Sequence, residues 1–418
     1  MRGELGDDYV EWLKSEFGIG VKDYAVYWFR KAHERLESGG RAGLVATNSI
    51  SQNRNRGPSL EWIVGSGGVI VNAVSTQDWS GEAAVDVSIV NWLKGQASSY
   101  VLDGQKVDGI DASLRSATRS THGALSIAEN ENRAFMGPTP GHRGFILSPP
   151  EAFALAPENE RYSEVVRPFL IGDDIVSTVD QAPTRYTIDF AGWTLEEAMR
   201  FPAALAIVRE RVLPDWRNAR RANNREYWWR FERFRPMMRA ALAGLSRYIA
   251  SNAQGKRILF IWCEQEWCPS NLTNVFALDD DWSMGLLSTA IHHEWARAQS
   301  STLEDRFRYT PTSAFETFPW PQPDDVRREA VAEIARRMIG RRSEICLERQ
   351  IGLTKLYNEV DEGAYRDLRE LHDALDEAVA AAYGWPSSAA HDPQESNRLL
   401  LELNRAIAAG EIDYRPFG

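Results

Sequence analysis

At 418 residues and a formal net charge of -11, the chain is long enough for two or three domains, and its charge excludes nucleic-acid binding by the whole surface while leaving local patches open. No apolar run approaches the roughly eighteen residues of a membrane helix, and Met1-Arg2-Gly3-Glu4 leads into acids rather than a signal-peptide core. A cytoplasmic protein with no membrane partner is expected. Cys263, Cys268 and Cys346 form no CxxC pair and cannot all be bridged, which suits a reducing compartment and argues against a structural zinc or other metal site.

From Tyr24 to Leu36, Ala25, Trp28, Phe29, Ala32 and Leu36 recur at helical spacing, and Gly39-Gly40 supplies a stop. A strand-like run, Ala42 to Thr47, then leads into the polar loop Asn48 to Arg56. Ser59 to Val64 reads as a short helix closed by Gly65, Val69 to Val74 as a second strand, and Val85 to Leu93 as a third, ending in Asn91-Trp92. This order predicts an α/β fold with a mostly parallel sheet, of which residues 1–95 supply only three strands, so that one flank stays open. The Ser-, Gly- and Asp-rich stretch from Gln96 to Asn132 reads as an exposed connection. From Phe135 to about Pro323, short strand-like pieces and proline-marked turns predict an α+β domain. Asp324 to Gly418, with Val331-Ile334-Met338 and Leu368-Leu371-Leu375-Val379 at helical spacing, predicts a helical region. The expected division is 1–130, 131–323 and 324–418.

Between Arg200 and Arg247 stand twelve arginines, no lysine and four acids (Glu210, Asp215, Glu226, Glu232), a local charge of +8 that leaves -19 for the rest. Arginine suits bidentate contact with phosphates or guanine edges and stacking on flat rings. Within this segment Tyr227 to Arg235 interleaves aromatics with arginines, and Arg225, Arg230, Arg233 and Arg235 are the candidate DNA contacts. The competing reading is a helix with core aromatics and solvated or paired arginines. Gln52, Arg54 and Arg56 of the polar loop are further DNA-contact candidates. Trp92, at the end of its strand, is placed either to stack on a base taken out of a duplex or to pack in its own core.

Several motifs point nowhere. Gly65-Ser66-Gly67-Gly68 is followed by the strand Val69-Ile70-Val71, not by a helix whose N-terminus could hold a cofactor. His293-Glu294 begins a zinc-protease motif, but Arg297 stands where the second histidine belongs. Ser148-Pro149-Pro150 is followed by Glu151 instead of an aromatic and is read as a turn, and Asp279-Asp280-Asp281 as the acidic start of a helix.

The chain resembles the MmeI-like, adenine-modifying DNA methyltransferases of bacterial restriction and phage-defence systems. The resemblance runs through Asp23 to Phe29, Gly43 to Gln52, Asp86 to Trp92, Gly144 to Leu147, Arg167 to Asp174, Tyr309 to Pro319 and Ala378 to Trp385. It implies a partial Rossmann-like methyltransferase sheet followed by a target-recognition domain and C-terminal helices. It also implies methyl transfer from S-adenosylmethionine to the exocyclic amine of an adenine flipped out of double-stranded DNA, with Trp92 stacking on the base. The family's glycine-rich cofactor loop and Asn-Pro-Pro-aromatic motif precede the segment that begins here at Arg2-Gly3-Glu4-Leu5-Gly6. An upstream methyltransferase subunit or fused N-terminal segment is therefore expected to bring the cofactor. The alternative expectation is a non-catalytic DNA-binding specificity module or decayed fragment.

Overall fold

Asp23 opens the helix α2 (Tyr24–Glu34) by accepting a hydrogen bond from the Ala25 amide at 3.3 Å, and Gly39, at φ +82°, turns the chain into β1 (Arg41–Thr47). These elements belong to a computed structural model that describes residues 2–18, 23–51, 53–79, 85–115, 124–155, 160–219, 221–303 and 306–417. It is a mixed α/β structure of several small sheets and many helices that divides into two units, Met1–His122 and Gly123–Gly418. No helix among the described residues is long and apolar enough to cross a membrane.

In the first unit, α1 (Arg2–Phe17) and α2 precede a five-stranded sheet of β1, β2 (Gly68–Asp78), β3 (Asp86–Lys94), β4 (Tyr100–Leu102) and β5 (Gln105–Val107), in the order β1-β3-β2-β4-β5. The expected helix, strand, helix, strand, strand succession is present, but the mostly parallel sheet is not: β3 runs antiparallel to both β1 and β2. The reason is the connection. Only residues 79–85 separate β2 from β3, whereas a parallel return needs a crossover of a dozen residues or more. β1 and β2 themselves run the same way, joined through the helical stretch 48–65 with β3 inserted between them.

The stretch read as a mere connection contains the β4–β5 hairpin. Its two-residue turn, Asp103-Gly104, has φ of +48° and +79°, the geometry that Asp-Gly favours. Asp103 also accepts hydrogen bonds from the Ser75 amide and hydroxyl at 2.7 and 2.8 Å, tying the turn to β2. One face of the sheet packs Val90, Ile70, Ala73 and Ala46 against Val26 and Phe29 of α2 and against Leu60 and Ile63. On the other face Val45 is 49% exposed, and a Cβ at Gly43 would collide with the side chain of Asn91 on β3.

In the second unit the strands are β6 (Ala134–Met136), β7 (Ile146–Leu147), β8 (Val166–Leu170), β9 (Tyr186–Ile188), β10 (Arg247–Asn252), β11 (Gln254–Gly255), β12 (Phe260–Glu264), β13 (Cys268–Pro269), β14 (Thr273–Phe276), β15 (Ser301–Leu303) and β16 (Arg306–Arg308). They form the sheets β12-β10-β14-β6, β13-β8-β9-β7 and β11-β16-β15. The first of these sheets, through Ile249, Ile261 and Phe276, shares one hydrophobic core with Val331, Met338, Leu375, Val379 and Leu400 of the C-terminal helices. A second core, under β8 and β9, gathers Phe145, Phe190, Phe201, Val208, Trp216 and Phe231.

The segment Tyr309 to Pro319 is buried and stapled in place. The Asn130 amide donates to the Phe315 and Phe318 carbonyls at 3.1 and 2.7 Å, and the Asn404 amide donates to the Thr317 carbonyl at 2.7 Å. These bonds satisfy backbone oxygens of a largely buried segment, the Phe315 carbonyl accepting from the Phe318 amide as well.

Asp376, on the helix Arg366–Ala382, is 8% exposed and accepts from the Ala290 amide at 2.8 Å at the start of the helix Ala290–Ala298. Burial raises its pKa to about 7. Between the unfolded carboxyl's value near 4 and 7, the folded state holds a proton that the unfolded chain has released. Stability therefore falls as pH rises through that window and is level above it. Asp376→Asn keeps the acceptor and removes the charge, so at pH 8 it is expected to stabilise the fold by up to about 4 kcal/mol and flatten the pH dependence. Urea unfolding of both proteins at pH 5 and pH 8 measures this, and an unchanged difference between the two pH values would contradict it.

Candidate nucleic-acid interface

The second unit brings three separate chain segments together around a basic loop. Thr139 and Arg233 form a two-way backbone bridge, with N–O distances of 2.9 and 3.1 Å, and the Glu232 amide donates to the Pro140 carbonyl at 3.3 Å. Gly141, at φ +78°, passes so close that a Cβ there would lie 2.7 Å from Glu232 Cβ, which restricts the position to glycine. His142 fixes the third segment: Nδ1 accepts from the Gly144 amide at 2.9 Å, so Nε2 carries the proton and donates to Asp215 at 2.8 Å. Arg233 is thereby paired to the segment that carries Arg143, and Arg217 lies two residues beyond Asp215, the partner of His142. All three are exposed and have no side-chain partner among the described residues.

Beside them stands Arg235, whose backbone is left-handed at φ +55°, a conformation that costs a non-glycine residue energy and recurs at ligand-binding sites. Its Nε donates to the Gly137 carbonyl at 3.3 Å, and burial together with the neighbouring Arg233 pushes its pKa below the usual guanidinium value. Two adjacent arginines held together in this way favour an anionic partner.

Six other arginines of the segment have structural employment, whereas Arg200 is exposed with no side-chain hydrogen bond or ion pair among the described residues and Arg220 lies outside them. Arg211 pairs with Glu151 at 2.6 Å, Arg221 with Glu232, and Arg247 with Asp281 at 2.9 Å while lying over the Trp262 ring. Arg239 forms a buried pair with Asp189 at 2.5 Å. Arg230 is half-buried, lies over Tyr227 and donates to the Trp193 carbonyl at 2.7 Å, while Arg225 is exposed and donates to the Ala219 carbonyl. The interleaved aromatics divide similarly: Trp228, Trp229 and Phe231 are buried in the second core, and Tyr227 and Phe234 are half-buried against it. For the three buried rings, packing is the correct reading, because a ring inside the core cannot stack on a base.

In the first unit, Trp92 is 0% exposed. Its ring stacks on Phe29 with centroids 5.4 Å apart, and its Nε1 donates to His33 Nδ1 at 3.2 Å. His33 Nε2 in turn donates to the Ser66 carbonyl at 3.2 Å. The base-stacking role for Trp92 is therefore corrected to a core role. The glycine run Gly65 to Gly68 is the turn that presents the Ser66 carbonyl to this chain of bonds. Trp92→Phe, which leaves His33 Nδ1 unsatisfied, is expected to cost about 1–3 kcal/mol in urea unfolding and to leave duplex affinity unchanged. A loss of DNA affinity without loss of stability would restore the base-stacking role.

Arg56 pairs with Glu61 at 2.6 Å on its own helical stretch, and Gln52 and the side chain of Arg54 lie outside the described residues. Ser148-Pro149-Pro150-Glu151 is a helix start: the Ser148 amide and hydroxyl donate to Glu151 at 2.8 and 2.7 Å, holding that carboxyl down at about 2. Asp280 caps the helix Asp281–Leu287 through the Ser283 amide at 2.9 Å. The sequence had singled out neither Arg143 nor the loop that carries it. The available signal was His142-Arg143 beside Gly141, which a long-range pairing alone makes meaningful.

Comparison with curated proteins gives no match. The structure is similar to that of the Type IIL restriction-modification enzyme MmeI, solved in complex with DNA, with a TM-score of 0.75 at 20% identity over 93% of this chain and 53% of that one. At this identity the likeness shows the fold. The type IIG restriction endonuclease BpuSI aligns with a TM-score of 0.35 at 12% identity over 95% of this chain and 51% of that one, too low to carry an argument. The chain spans about half the length of these two solved chains. A family model described as the MmeI target recognition domain matches residues 125–322, the region that holds the whole basic loop. Over those residues, a little under half of the chain, the sequence is similar to the target recognition domain of MmeI.

Proposed function

We propose that this chain is the DNA-recognition portion of a restriction-modification methyltransferase and that it grips double-stranded DNA through Arg143, Arg217, Arg233 and Arg235. The observation that carries the reading is that Arg233, beside the strained Arg235, and Arg143 and Arg217, on the segments tied by the Thr139–Arg233 and His142–Asp215 bonds, are exposed with no side-chain partner among the described residues, inside the region that the recognition-domain model matches. Exposed arginines at the rim suit phosphates, and the pre-set, half-buried Arg235 suits a guanine edge. In this reading the domains are those expected from the sequence, with 1–130 forming the later half of a Rossmann-like methyltransferase domain and the protein working in the cytoplasm. The parallel pair β1 and β2, with a helical crossover, supports that half-domain. The enzyme as a whole would transfer a methyl group from S-adenosylmethionine to the exocyclic amine of adenine.

The residues present do not fit the cofactor. Gly65 to Gly68 runs directly into β2, and a Cβ at Gly68 would lie 2.5 Å from Ile63 Cγ2, so the turn is packed against its own helix rather than open to a ligand. S-adenosylmethionine is then bound by an upstream segment or subunit, which would meet the sheet on the Val45 face. A second reading, a specificity module without catalysis, is favoured by the buried position of Trp92 and by the family match lying on the recognition domain.

Duplex binding by gel shift tests the shared part of both readings. Calorimetric titration of this chain with S-adenosylmethionine, and methylation assays with and without a polypeptide carrying the cofactor loop, separate them. The methyltransferase reading expects methylation only on mixing. Failure on mixing leaves the specificity module, and robust methylation by this chain alone would sink both.

A further inference from the structure

Away from the basic loop, the second unit holds a cavity of about 760 Å³, and four of the segments that line it supply its cationic side chains named below. The helix Ala290–Ala298 supplies His293 and Arg297, one turn apart on one face, and the helix Asp325–Arg349 supplies Arg342. Lys256 comes from the link between β11 and β12, and Arg369 from the helix Arg366–Ala382.

Arg342 is 3% exposed; its Nη2 donates to the Phe260 carbonyl at 2.8 Å, and its Nε has no partner among the described residues. Arg297 Nε is likewise buried and without a partner among the described residues, and His293, whose Nδ1 faces Glu294 at 3.6 Å, leaves Nε2 unpartnered. Buried donors are almost always satisfied, so the two arginine Nε groups, on side chains that line one cavity, point to an acceptor-rich occupant. Lys256 and Arg369 are exposed at the cavity and make no ion pair among the described residues, in contrast to Arg366, which pairs with Glu370 at 2.7 Å. Guanidinium and ammonium donors without anions of their own suit phosphate oxygens. Four carboxylates also line the cavity: Glu370 pairs with Arg366, Asp376 accepts from the Ala290 amide, and Glu294 and Asp373 can accept from hydroxyls. The volume falls within the range of small-molecule sites and exceeds what a lone phosphate needs.

We propose that this cavity binds a ribonucleotide, with its phosphates on Arg342, Arg297, Lys256 and Arg369 and its sugar hydroxyls toward the carboxylates. The site is separate from the basic loop, and the proposal does not depend on the recognition function. The test is isothermal titration of the full chain with adenosine monophosphate, adenosine triphosphate, adenosine and inorganic phosphate. Saturable binding of at least one of the two nucleotides is expected, with adenosine and inorganic phosphate at least about tenfold weaker.

The surface variants Lys256→Ala and Arg369→Ala, which leave the buried bonds of Arg342 in place, are expected to weaken nucleotide binding about tenfold each while leaving duplex affinity unchanged. Arg342→Lys, which retains charge but loses the planar fork, is expected to weaken it further. Absence of nucleotide binding at millimolar concentration, or affinity unmoved by both surface variants, overturns the proposal. So does a loss of duplex affinity in those variants without a loss of nucleotide affinity, since the cavity would then belong to the DNA surface.

Discussion

Replacing Arg143, Arg217 and Arg233 together by alanine is expected to weaken duplex binding by about 10²- to 10³-fold while leaving the unfolding midpoint within a few degrees of the wild type. The three side chains are exposed and have no side-chain partner among the described residues, so the folded state loses little when they go. Against DNA each supplies a charge-assisted contact, and removing three phosphate contacts also lowers the slope of log affinity against log salt by up to about 2.7. The set is cleaner than one built on Arg230 and Arg235, because those two donate to the Trp193 and Gly137 carbonyls and their loss disturbs the fold. Arg235→Lys serves as a separate probe: it keeps charge but not the bidentate fork, and is expected to relax discrimination between sites more than it reduces nonspecific affinity. A triple variant with wild-type affinity and salt slope would place the DNA surface elsewhere.

The second large effect is on stability. Asp189→Ala is expected to destabilise the second unit by about 3–5 kcal/mol, because it strands the Arg239 guanidinium in a mostly buried site. Asp189 is 3% exposed, accepts from Arg239 Nη2 at 2.5 Å and from the Ala191 amide at 2.9 Å, and stands 3.7 Å from the Cys268 sulfur. Burial by itself would lower the Arg239 pKa, but Asp189 outweighs it and the net shift is upward. Arg239 Nε also donates to the Phe234 carbonyl at 2.7 Å, so the pair anchors the turn that carries Arg233 and Arg235. Duplex affinity should therefore fall even at temperatures where Asp189→Ala stays folded. Replacing both partners by leucine and methionine removes the stranded charge and should recover most of the stability. Urea melts of the single and double variants decide it: a cost below about 1 kcal/mol for the single change would mean that solvent screens the pair.

What could be read before any coordinates was mostly local. The periodicity of Ala25, Trp28, Phe29 and Ala32 yields α2, and the apolar runs yield β1 and β3 close to their observed limits, while β2 continues four residues past the expected end at Val74 to Asp78. The Asp103-Gly104 signal was equally present in the chain, but the surrounding polar composition hid the β4–β5 hairpin. Sheet direction was missed because alternation of helix and strand does not specify which strands become neighbours. The length of the 79–85 connection was the better guide.

For the site, the arginine-rich composition of residues 200–247 pointed to the right region without resolving its members. Arg233 and Arg239 look alike in sequence, yet one is exposed and unpaired and the other is locked to Asp189, which lies fifty positions away along the chain. Trp92 shows the same limit: a tryptophan at a strand end fits base stacking or a core equally well until Phe29 and His33 are seen against it.

The sequence by itself determined α2 and the first three strands, the local excess of positive charge and the family resemblance, since these depend on propensity, periodicity and residue identity within short windows. Only the tertiary structure decided which arginines are free for DNA, that Trp92 is core, and that His293, Arg297, Arg342, Lys256 and Arg369 meet at one cavity. Those outcomes depend on partners far away in the chain, because burial and charge pairing are properties of what a side chain packs against.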